Sequence, residues 1–519
     1  MLCHVNTGVC DGVTGRNVVV ETDVVRGLPN FIIVGHPSGT VNESRDRIRA
    51  AIVNSGFQYP RNRVIVNMWP AELKKSGSHL DLPIAMGILG SAGFSDLRGL
   101  RRTGILGELS LDGSVVGTDG VLPVVAGLRD KGIERIIVPR ENYREAVLAG
   151  PRGLIPVSDL RSCCQIVNRI GSDDDISDED LAEICNGNKM TEIPEAIHKE
   201  EENLTFDDVK GQHLIKRAVT IGVAGRHGIL MVGSPGCGKT MIARRVRTIL
   251  PEMNKEEILS TTMIYSAAGL LDRGTPVTVR PFRSPHHSIG RAGLLGGGAW
   301  PVPGEISLAH NGVLFLDEMA EFNVSVLEGL RIPSEELKIT HFRQGRPFTF
   351  PSDFMLVAAS NPCKCGFSGD ETRVCTCTAA EIERYRKRIS GPLIERIDIH
   401  VRMEKIDFDT IHGGVGTGNG DMSHSEMCRS VKNAIAFRES MGRNLPPGRM
   451  DDKKLMDCLF MDQQSERLME TAYKNLNLTP RTGLKTLRVA RTIADMGESK
   501  EVREEHILEA LQFRPSSIF

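Results

Sequence analysis

The sequence predicts an α/β protein with three domains: an α/β amino-terminal domain, an α/β/α core and a small helical domain. The chain has 519 residues, more than one hydrophobic core usually holds at about 100–200 residues a domain. Short apolar runs alternate with amphipathic helical patterns over residues 1–168 and again over 203–403, whereas 424–514 show helical patterns alone. The acidic, polar segment 169–202 has the composition of a solvated linker.

Composition excludes several classes of protein. Acidic residues (66) nearly balance basic ones (64), so any nucleic-acid-binding surface must be a local patch. No apolar run reaches the about 18 residues of a membrane span, and the first residues lack the pattern of a signal peptide. We therefore expect a cytoplasmic protein without membrane contact, whose twelve cysteines stay reduced and serve as metal ligands or small buried residues.

The amino-terminal block predicts an alternation of strands and helices. Runs rich in β-branched residues predict strands at 17–21, 31–34, 63–66 and 136–138. Helical periodicity predicts helices at 43–55 and 81–90. Gly, Pro and Asn mark the joints between them.

A phosphate-binding loop opens the central block. Residues 228–233 are an apolar run suited to a buried parallel strand, and 241–250 have a helical pattern. Between them stands the pattern GxxxxGK(S/T), in which backbone N–H groups and the helix amino terminus can hold phosphate oxygens. Lys239 would neutralise the β- and γ-phosphates of ATP, and the Thr240 hydroxyl would bind Mg²⁺. The loop comprises Gly233, Ser234, Pro235, Gly236, Cys237, Gly238, Lys239 and Thr240.

Two further predicted strands end in polar residues that such a site needs. The run 312–316 leads into Asp317, which can bind the Mg²⁺, and Glu318, which can polarise the attacking water. The run 354–360 leads to Asn361, whose side chain can orient that water or contact the γ-phosphate. An Asn before Pro362 is also typical of a turn, but its place after a third strand favours the functional interpretation.

Four cysteines form the pattern C-x-C-x9-C-x-C. Four thiolates around a polar loop can bind Zn²⁺ tetrahedrally, although this spacing is tighter than the common C-x2-C. The alternative is four reduced thiols, two of them buried. A closed set of four favours a structural zinc site without an open position for catalysis. The four residues are Cys363, Cys365, Cys375 and Cys377.

Several segments together resemble the YifB/ComM family of magnesium-chelatase-like AAA+ proteins over essentially the whole chain. They are RPFRSPHH at 280–287, PGEISLAHNGVLFLDE at 303–318, NPCKCG at 361–366, SGPLIERIDIH at 390–400 and RVARTIAD at 488–495. The resemblance implies an AAA+ core with a helical lid, and a homo-hexamer with ATP bound between neighbouring subunits. It also implies action on DNA, as a translocase or as a branch-migration helicase in natural transformation. The chain departs from the family at 330–337, where LRIPSEEL replaces the LRQPLEDG of many relatives.

The resemblance implies roles for single residues. Arg396 corresponds to the arginine finger that reaches a neighbour's γ-phosphate, although a surface salt bridge is the common role of an arginine. Arg481 corresponds to the sensor 2 arginine of the lid, with Arg488 and Arg491 as competitors on the same helix. The turn that lines the adenine pocket is matched by Val209, Gly211 and Gln212.

The segment 275–303 resembles the helix-2 insert of this clade, a hairpin that projects into the ring pore. Its basic residues could contact DNA phosphates, or the insert could pack against its own subunit. No aromatic stacking platform is evident in the sequence. The basic residues are Arg280, Arg283, His286, His287 and Arg291.

The amino-terminal block resembles the proteolytic domain of Lon, through LGELSLDG at 106–113 and GIERIIVPREN at 132–142. A Lon-type protease needs a serine activated by a lysine. His79 and Asp81 stand at the nucleophile position and Leu122 at the lysine position, so we expect a scaffold without this dyad. The remaining candidates for a dyad are Ser76, Ser78, Lys74 and Lys75. Phosphate contacts could come from Lys74, Lys75, Arg45, Arg47 and Arg49, although the three arginines could equally form a solvated helix face.

The motifs predict an ATP hydrolase, and the family resemblance implies that it remodels DNA. The alternatives are a chelatase-like or chaperone-type ATPase acting on a protein partner, and a Lon-like protease. The fused amino-terminal domain disfavours a chelatase subunit, and the missing dyad disfavours a protease.

Overall fold

The computed structural model describes most of the chain. The described residues are 1–35, 37, 39–75, 77–150, 153–172, 204–272, 274–343, 345–370, 373–389, 391–405 and 421–514. The predicted linker lies outside them from residue 173 onward, and so does Ser76.

The amino-terminal domain is built around one seven-stranded sheet. Its strands, with the separate pair β6 and β7, are β1 Cys3–Asp11, β2 Thr14–Val25, β3 Asn30–Val34, β4 Arg63–Trp69, β5 Thr103–Ile105, β6 Glu108–Leu109, β7 Val115–Val116, β8 Arg135–Pro139 and β9 Gly153–Val157. The sheet order is β3-β4-β2-β1-β5-β8-β9, antiparallel along β4-β2-β1 and parallel elsewhere. The helices are α1 Gly39–Asn54, α2 Asp81–Ser91, α3 Leu97–Arg102, α4 Val121–Asp130, α5 Tyr143–Ala146 and α6 Leu160–Ser172.

The central domain contains a five-stranded sheet. The strands of the domain are β10 Ile229–Gly233, β11 Phe282–Arg283, β12 Gly296–Gly297, β13 Val302–Pro303, β14 Val313–Leu316, β15 Lys338–Arg343, β16 Arg346–Pro351, β17 Met355–Ser360 and β18 Ile399–Met403. The sheet is parallel throughout, in the order β11-β14-β17-β10-β18, so all five carboxyl ends meet at one edge. Two hairpins, β12-β13 and β15-β16, stand outside it.

Helices cover both faces of this sheet. They are α7 His213–Gly225, α8 Lys239–Val246, α9 Lys255–Ala267, α10 Arg291–Leu295, α11 Glu305–Leu308, α12 Val324–Gly329, α13 Arg331–Glu336, α14 Ala379–Arg386 and α15 Gly391–Ile394. Alternate residues of β10 point to opposite faces: Ile229 and Met231 belong to one apolar cluster, and Leu230 and Val232 to another. The apolar run that predicted a buried strand is therefore buried on both sides, as parallel sheets require.

The carboxyl-terminal domain is entirely helical in its described residues. Its helices are α16 His424–Ser440, α17 Asp452–Asp457, α18 Gln463–Asn475, α19 Pro480–Met496 and α20 Glu504–Gln512. The start of α16 is fixed by a capping box, in which the Ser423 hydroxyl accepts from the Glu426 N–H and the Glu426 carboxylate accepts from the Ser423 N–H. Thr479 caps α19, and Pro480 occupies its first position.

The carboxyl-terminal helical domain, or lid, shares one hydrophobic cluster with the central domain, and this cluster runs from β10 and α7 through α19 to Phe513. A buried polar network crosses the same boundary. Asp398, just before β18, lies 3.0 Å from the Lys485 ammonium of α19 and 2.8 Å from His227 Nδ1. Burial by itself would raise the pKa of Asp398, but Lys485 and His227 hold it well below its usual range.

Helix α9 connects the central domain to the amino-terminal domain. Its Leu259 and Met263 pack against the apolar cluster formed by α4 and its neighbours. Near its end, the Ser266 hydroxyl donates to the buried Glu145 carboxylate at 2.6 Å, and the Ser266 carbonyl accepts from the Gly120 N–H at 2.9 Å. None of the helices among the described residues is both long and apolar enough to cross a membrane.

Candidate nucleotide site

The predicted phosphate-binding loop lies at the carboxyl end of β10, the strand between β17 and β18. Gly236 (φ 82°) and Gly238 (φ 90°) adopt left-handed backbone conformations that disfavour residues with a side chain. Gly233 has no room for one, because a Cβ would lie 2.6 Å from the carbonyl oxygen of Met403. The loop then enters α8 at Lys239, which places free backbone N–H groups and the helix dipole at its mouth.

The Lys239 side chain is held over this loop. Its Nζ donates to the carbonyls of Gly233 (2.7 Å) and Ser234 (3.1 Å) and to Oδ1 of Asn361 (3.1 Å). The structure thus brings together two predicted site residues that are 122 positions apart in the chain. Asn361 follows β17 at the same end of the sheet as the phosphate-binding loop. Both this position and its hydrogen bond with Lys239 favour the functional interpretation over a simple turn.

The two predicted carboxylates follow β14 at this edge. The Thr240 hydroxyl donates to Asp317 Oδ2 at 2.7 Å, which places both predicted Mg²⁺ ligands together. Glu318 has a left-handed backbone (φ 49°), an uncommon conformation for a residue with a side chain. Its carboxylate is half exposed, and His287 Nδ1 lies 3.9 Å from its Oε2. The Glu318 carboxylate is therefore open to solvent, next in the chain to the Asp317 that contacts Thr240.

The two predicted arginines lie at the opposite end of the strands, beside the amino ends of β10, β17 and β18. Arg396 Nη2 and Arg481 Nη2 both contact Oε1 of Glu335, at 2.7 and 2.8 Å. They line a cavity of about 640 Å³ whose wall includes Gly228 and Phe354, residues that precede β10 and β17. In this arrangement both arginines point to Glu335 and away from the phosphate-binding loop at the other end of β10.

The competitors for the sensor 2 assignment differ in exposure. Arg491 is fully buried, and it bonds to Asp495 and to the carbonyls of Ser499 and Lys500. Such an arginine stabilises the lid and faces no ligand. Arg488 donates to Asp452 at 2.6 Å and lines the same cavity as Arg481.

The turn predicted to line the adenine pocket lies beside the end of β18. Val209 is fully buried in the core of the domain, and Gly211 has a left-handed backbone (φ 66°). The Gln212 amide donates to the Glu404 carbonyl at 3.0 Å. The adenine-binding role of these three residues stays a prediction.

The four cysteines converge. The sulfur of Cys363 lies 3.4 Å from that of Cys365 and 3.7 Å from that of Cys375. All four sulfurs, including that of Cys377, lie within 4.8 Å of one another. Tetrahedral Zn²⁺ with bonds of about 2.3 Å would hold its sulfurs about 3.8 Å apart, so the donor set and its spacing fit this ion.

The segment predicted to be a pore insert is in part core structure. It contains β11, the edge strand of the main sheet, so the projecting hairpin is confined to β12-β13. Arg280 is buried, and its guanidinium bonds to Glu257. Arg283 forms a two-pronged pair with Glu305, at 2.7 Å for each contact. For these two arginines the structure favours the alternative that the insert packs against its own subunit, because their charges are already paired inside it.

Two exposed aromatic residues on neighbouring hairpins, Trp300 and Phe342, were not singled out from the sequence. We call this pair the aromatic platform. Trp300 lies at the tip of the β12-β13 hairpin with 39% of its surface exposed, and the Lys74 ammonium lies 4.4 Å from its ring centre. Phe342, in the neighbouring β15-β16 hairpin, is 69% exposed, and the adjacent Arg343 donates to the Gly298 carbonyl. A tryptophan in a turn flanked by Gly and Pro was the signal available in the sequence.

The Lon-like positions of the amino-terminal domain are closed. His79, Asp81 and Leu122 are all buried. The Ser78 hydroxyl donates to Glu108, and the buried Lys75 ammonium donates to a backbone carbonyl. No serine–lysine hydrogen bond joins Ser78 to Lys75 among the described residues.

The phosphate contact proposed for Lys75 is wrong because this side chain is buried, whereas the contact proposed for Arg47 stays a prediction. Lys75 is fully buried, and burial lowers the pKa of its ammonium to about 8. Arg47 pairs with Asp81 at 2.6 Å. Arg49 remains exposed beside Tyr59.

Family models match most of the chain. They are Magnesium chelatase, subunit ChlI, over residues 205–411; Subunit ChlI of Mg-chelatase, over 20–142; and Magnesium chelatase, subunit ChlI C-terminal, over 421–514. A shorter similarity, 27% identity over 192 residues, covers 31% of this chain and 28% of the magnesium-chelatase 67 kDa subunit of Heliobacterium mobile.

Two relatives match along nearly their whole length. The YifB protein of Escherichia coli is 33% identical over 516 residues, which cover 99% of this chain and 97% of that protein. The competence protein ComM of Haemophilus influenzae is 34% identical over 511 residues, which cover 97% of this chain and 95% of that protein. The chain therefore belongs to the magnesium-chelatase-like AAA+ family that contains the YifB and ComM proteins.

Proposed function

We propose that this protein hydrolyses ATP with Mg²⁺ and uses the energy to remodel DNA. The observation that carries the hydrolysis is the convergence of Lys239, Thr240, Asp317, Glu318 and Asn361 at one edge of the sheet. Lys239 and the loop N–H groups would hold the phosphates, and Glu318 would take the proton of the attacking water. Thr240 and Asp317 would hold Mg²⁺, which offsets the phosphate charge.

The position of the arginines supports a site shared between subunits. Arg396 and Arg481 lie across the sheet from their own loop, and their guanidinium groups converge on one carboxylate, that of Glu335. We propose that they approach the γ-phosphate bound by a neighbouring copy, where their charge stabilises the transition state. A head-to-tail arrangement of this kind closes into a ring, and the family resemblance favours six subunits.

The exposed platform supports DNA as the substrate. Trp300 and Phe342 provide flat apolar faces, and Lys74 and Arg343 provide positive charge beside them. Aromatic faces with neighbouring cations are suited to stacked bases and a phosphate backbone of single-stranded DNA. The name of the Haemophilus influenzae relative, a competence protein, agrees with action on DNA. We therefore favour a DNA translocase or branch-migration helicase.

The test is the ATPase rate with and without DNA. Single-stranded and four-way-junction DNA should each raise the rate at low salt, and the effect should fall with ionic strength because phosphate contacts release counterions. Phe342→Ala should reduce this stimulation, whereas Phe460→Ala, which removes a similarly exposed ring from the lid, should not. An ATPase rate unaffected by either DNA at low salt would contradict the DNA part of the proposal.

A protein-directed chaperone or chelatase-like ATPase is the second candidate, and it is favoured by the family models. Stimulation of the ATPase by casein, in the absence of DNA stimulation, would support it. Cleavage of casein would instead support the protease, against the contacts of Ser78 and Lys75 described above.

We also propose that the four cysteines hold a structural Zn²⁺. Four thiolates complete its tetrahedral coordination and leave no position for substrate. The ion would supply folding energy to a loop that has few buried apolar residues.

A further inference from the structure

We infer that the cysteine loop, residues 363–377, braces the phosphate-binding loop, so that metal bound by its four thiols sets the affinity for nucleotide. The inference rests on the proposed zinc site and goes beyond it. It assigns the metal an effect on a neighbouring site that the ion itself does not touch.

The first connection runs through the chain. Cys363 is separated by Pro362 alone from Asn361, whose Oδ1 accepts from the Lys239 ammonium. A metal that fixes the Cys363 sulfur therefore also restricts the backbone that presents Asn361. Both Pro362 and Cys363 are buried, so this part of the loop is fixed against the domain.

The second connection is a direct contact between the two loops. Gly366 has a left-handed backbone (φ 87°), and a Cβ at this position would lie 2.6 Å from Cδ and Cγ of Pro235. Its N–H donates to the Cys363 carbonyl at 3.0 Å, and the Ser368 N–H points to the Cys363 sulfur at 3.3 Å. The turn that surrounds the thiol is thus the same turn that rests on the phosphate-binding loop.

The third connection joins the cysteine loop to the end of β18. Asp370 pairs with Lys405 at 2.9 Å, and Arg402 donates to the Gly369 carbonyl at 2.6 Å. Arg402 and Lys405 flank Met403, whose carbonyl lies against Gly233 at the start of the phosphate-binding loop. The cysteine loop is therefore attached to both ends of the nucleotide site.

The loop has little else to hold its shape. None of the described residues between 367 and 377 is buried, and Val374 is 91% exposed. Apolar burial therefore contributes little to its order, and four metal–thiolate bonds would supply it. Removal of the metal should release the contact of Gly366 with Pro235 while the main sheet stays folded.

The first experiment measures metal content and ADP affinity of the full-length protein. Elemental analysis should find about one zinc per chain, as a four-thiolate site requires. Metal removal under reducing conditions, followed by dialysis, should weaken ADP binding about tenfold, which is typical of coupling between two sites. Re-addition of Zn²⁺ should restore it. A protein that binds no zinc after re-addition, or whose ADP affinity ignores zinc removal, would overturn the inference.

The second experiment separates the contact from the conformational cost of the substitution. Gly366→Ala and Gly442→Ala both place a methyl group on a left-handed backbone (φ 87° and 70°), so their conformational costs are similar. Only the first meets Pro235; the second, in the helical domain, meets no atom within 4 Å. Both variants should retain zinc, and only Gly366→Ala should weaken ADP binding. Equal weakening in both would contradict a specific brace.

Cysteine variants complete the test. Cys375→Ser should lose zinc and ADP affinity together, whereas Cys458→Ser, which alters a thiol in the lid, should change neither. Thermal unfolding of each variant verifies that the domain remains folded. ADP binding needs no DNA and no hydrolysis, so these results stand whether or not the protein acts on DNA.

Discussion

Lys239 and Arg396 lie at opposite ends of two neighbouring parallel strands. For the proposed ring, this separation predicts how mixtures of a Lys239 variant and an Arg396 variant should hydrolyse ATP. The phosphate-binding loop follows β10 and Arg396 precedes β18, its parallel neighbour, with Ile229 opposite Ile399. The five residues of β10 span about 13 Å at roughly 3.3 Å a residue. Lys239→Ala and Arg396→Ala should each abolish hydrolysis, but they damage different halves of the composite site.

The expected recovery follows from counting sites. In rings assembled at random from equal amounts of the two variants, half of the loops are intact and half of the neighbouring arginines are intact. About one quarter of the composite sites then carry both, whatever the number of subunits in a closed ring. The mixture should therefore hydrolyse ATP at about one quarter of the wild-type rate if sites act independently.

The assay is steady-state ATP hydrolysis after subunit exchange at low protein concentration, with ring formation checked by light scattering. Two mixtures serve as controls. Wild type mixed with the double variant should also retain about one quarter of its sites by the same counting. Lys239→Ala mixed with Thr240→Ala should recover nothing, because both residues belong to the same loop of one chain.

Absence of recovery in the first mixture, with normal rates in the wild-type control, would refute the reasoning. It would mean that Arg396 acts within its own chain or only holds Glu335. Recovery in the Lys239 and Thr240 mixture would show instead that the variants do not damage the site as described.

Three further outcomes are expected. Glu318→Gln should bind ATP normally and hydrolyse it about 100- to 10,000-fold more slowly, the usual contribution of a general base; filter binding and phosphate release measure the two steps, and an unchanged rate would remove Glu318 from the mechanism. Burial lowers the pKa of His310 to about 4, so as the pH falls the unfolded chain takes up a proton at this histidine before the folded chain does. The free energy of unfolding, measured with denaturant, should therefore decrease between about pH 6.5 and 4. The decrease should be smaller in His310→Gln. Arg491→Met should lower the free energy of unfolding by about 1–3 kcal/mol, because the carbonyls of Ser499 and Lys500 lose their donor while Arg443 still pairs with Asp495. Arg481→Met, at a half-exposed pair, should cost less than about 1 kcal/mol; similar melting shifts in both would contradict this distinction.

The nucleotide site was predictable because its signals are local. A glycine-rich loop after an apolar run, and polar residues after two further runs, place their side chains at one sheet edge once the sheet is parallel. The contact of Lys239 with Asn361 follows from that geometry, although 122 positions separate the two residues. The predicted strands in the amino-terminal domain lie within β2, β3, β4 and β8 for a similar reason, since each is a short run rich in β-branched residues.

Other features depend on partners that a local pattern does not reveal. Arg280 and Arg283 have the composition of a phosphate-binding surface, but Glu257 and Glu305 neutralise them from other elements. Strand β1, with Cys, His, Asn and Thr among its residues, lacks a clear apolar alternation and was not predicted. The platform at Trp300 depends on the proximity of two hairpins, which no single segment encodes.

The apolar cluster that the lid shares with the central sheet has a mechanical consequence. A hinge needs a boundary with few buried contacts, and this boundary is crossed by a continuous core and by the network of Asp398, Lys485 and His227. The central domain and the lid should therefore move as one rigid body, and α9 should couple the amino-terminal domain to that motion. In the proposed ring, the boundaries between neighbouring copies would then be the places that change when nucleotide binds.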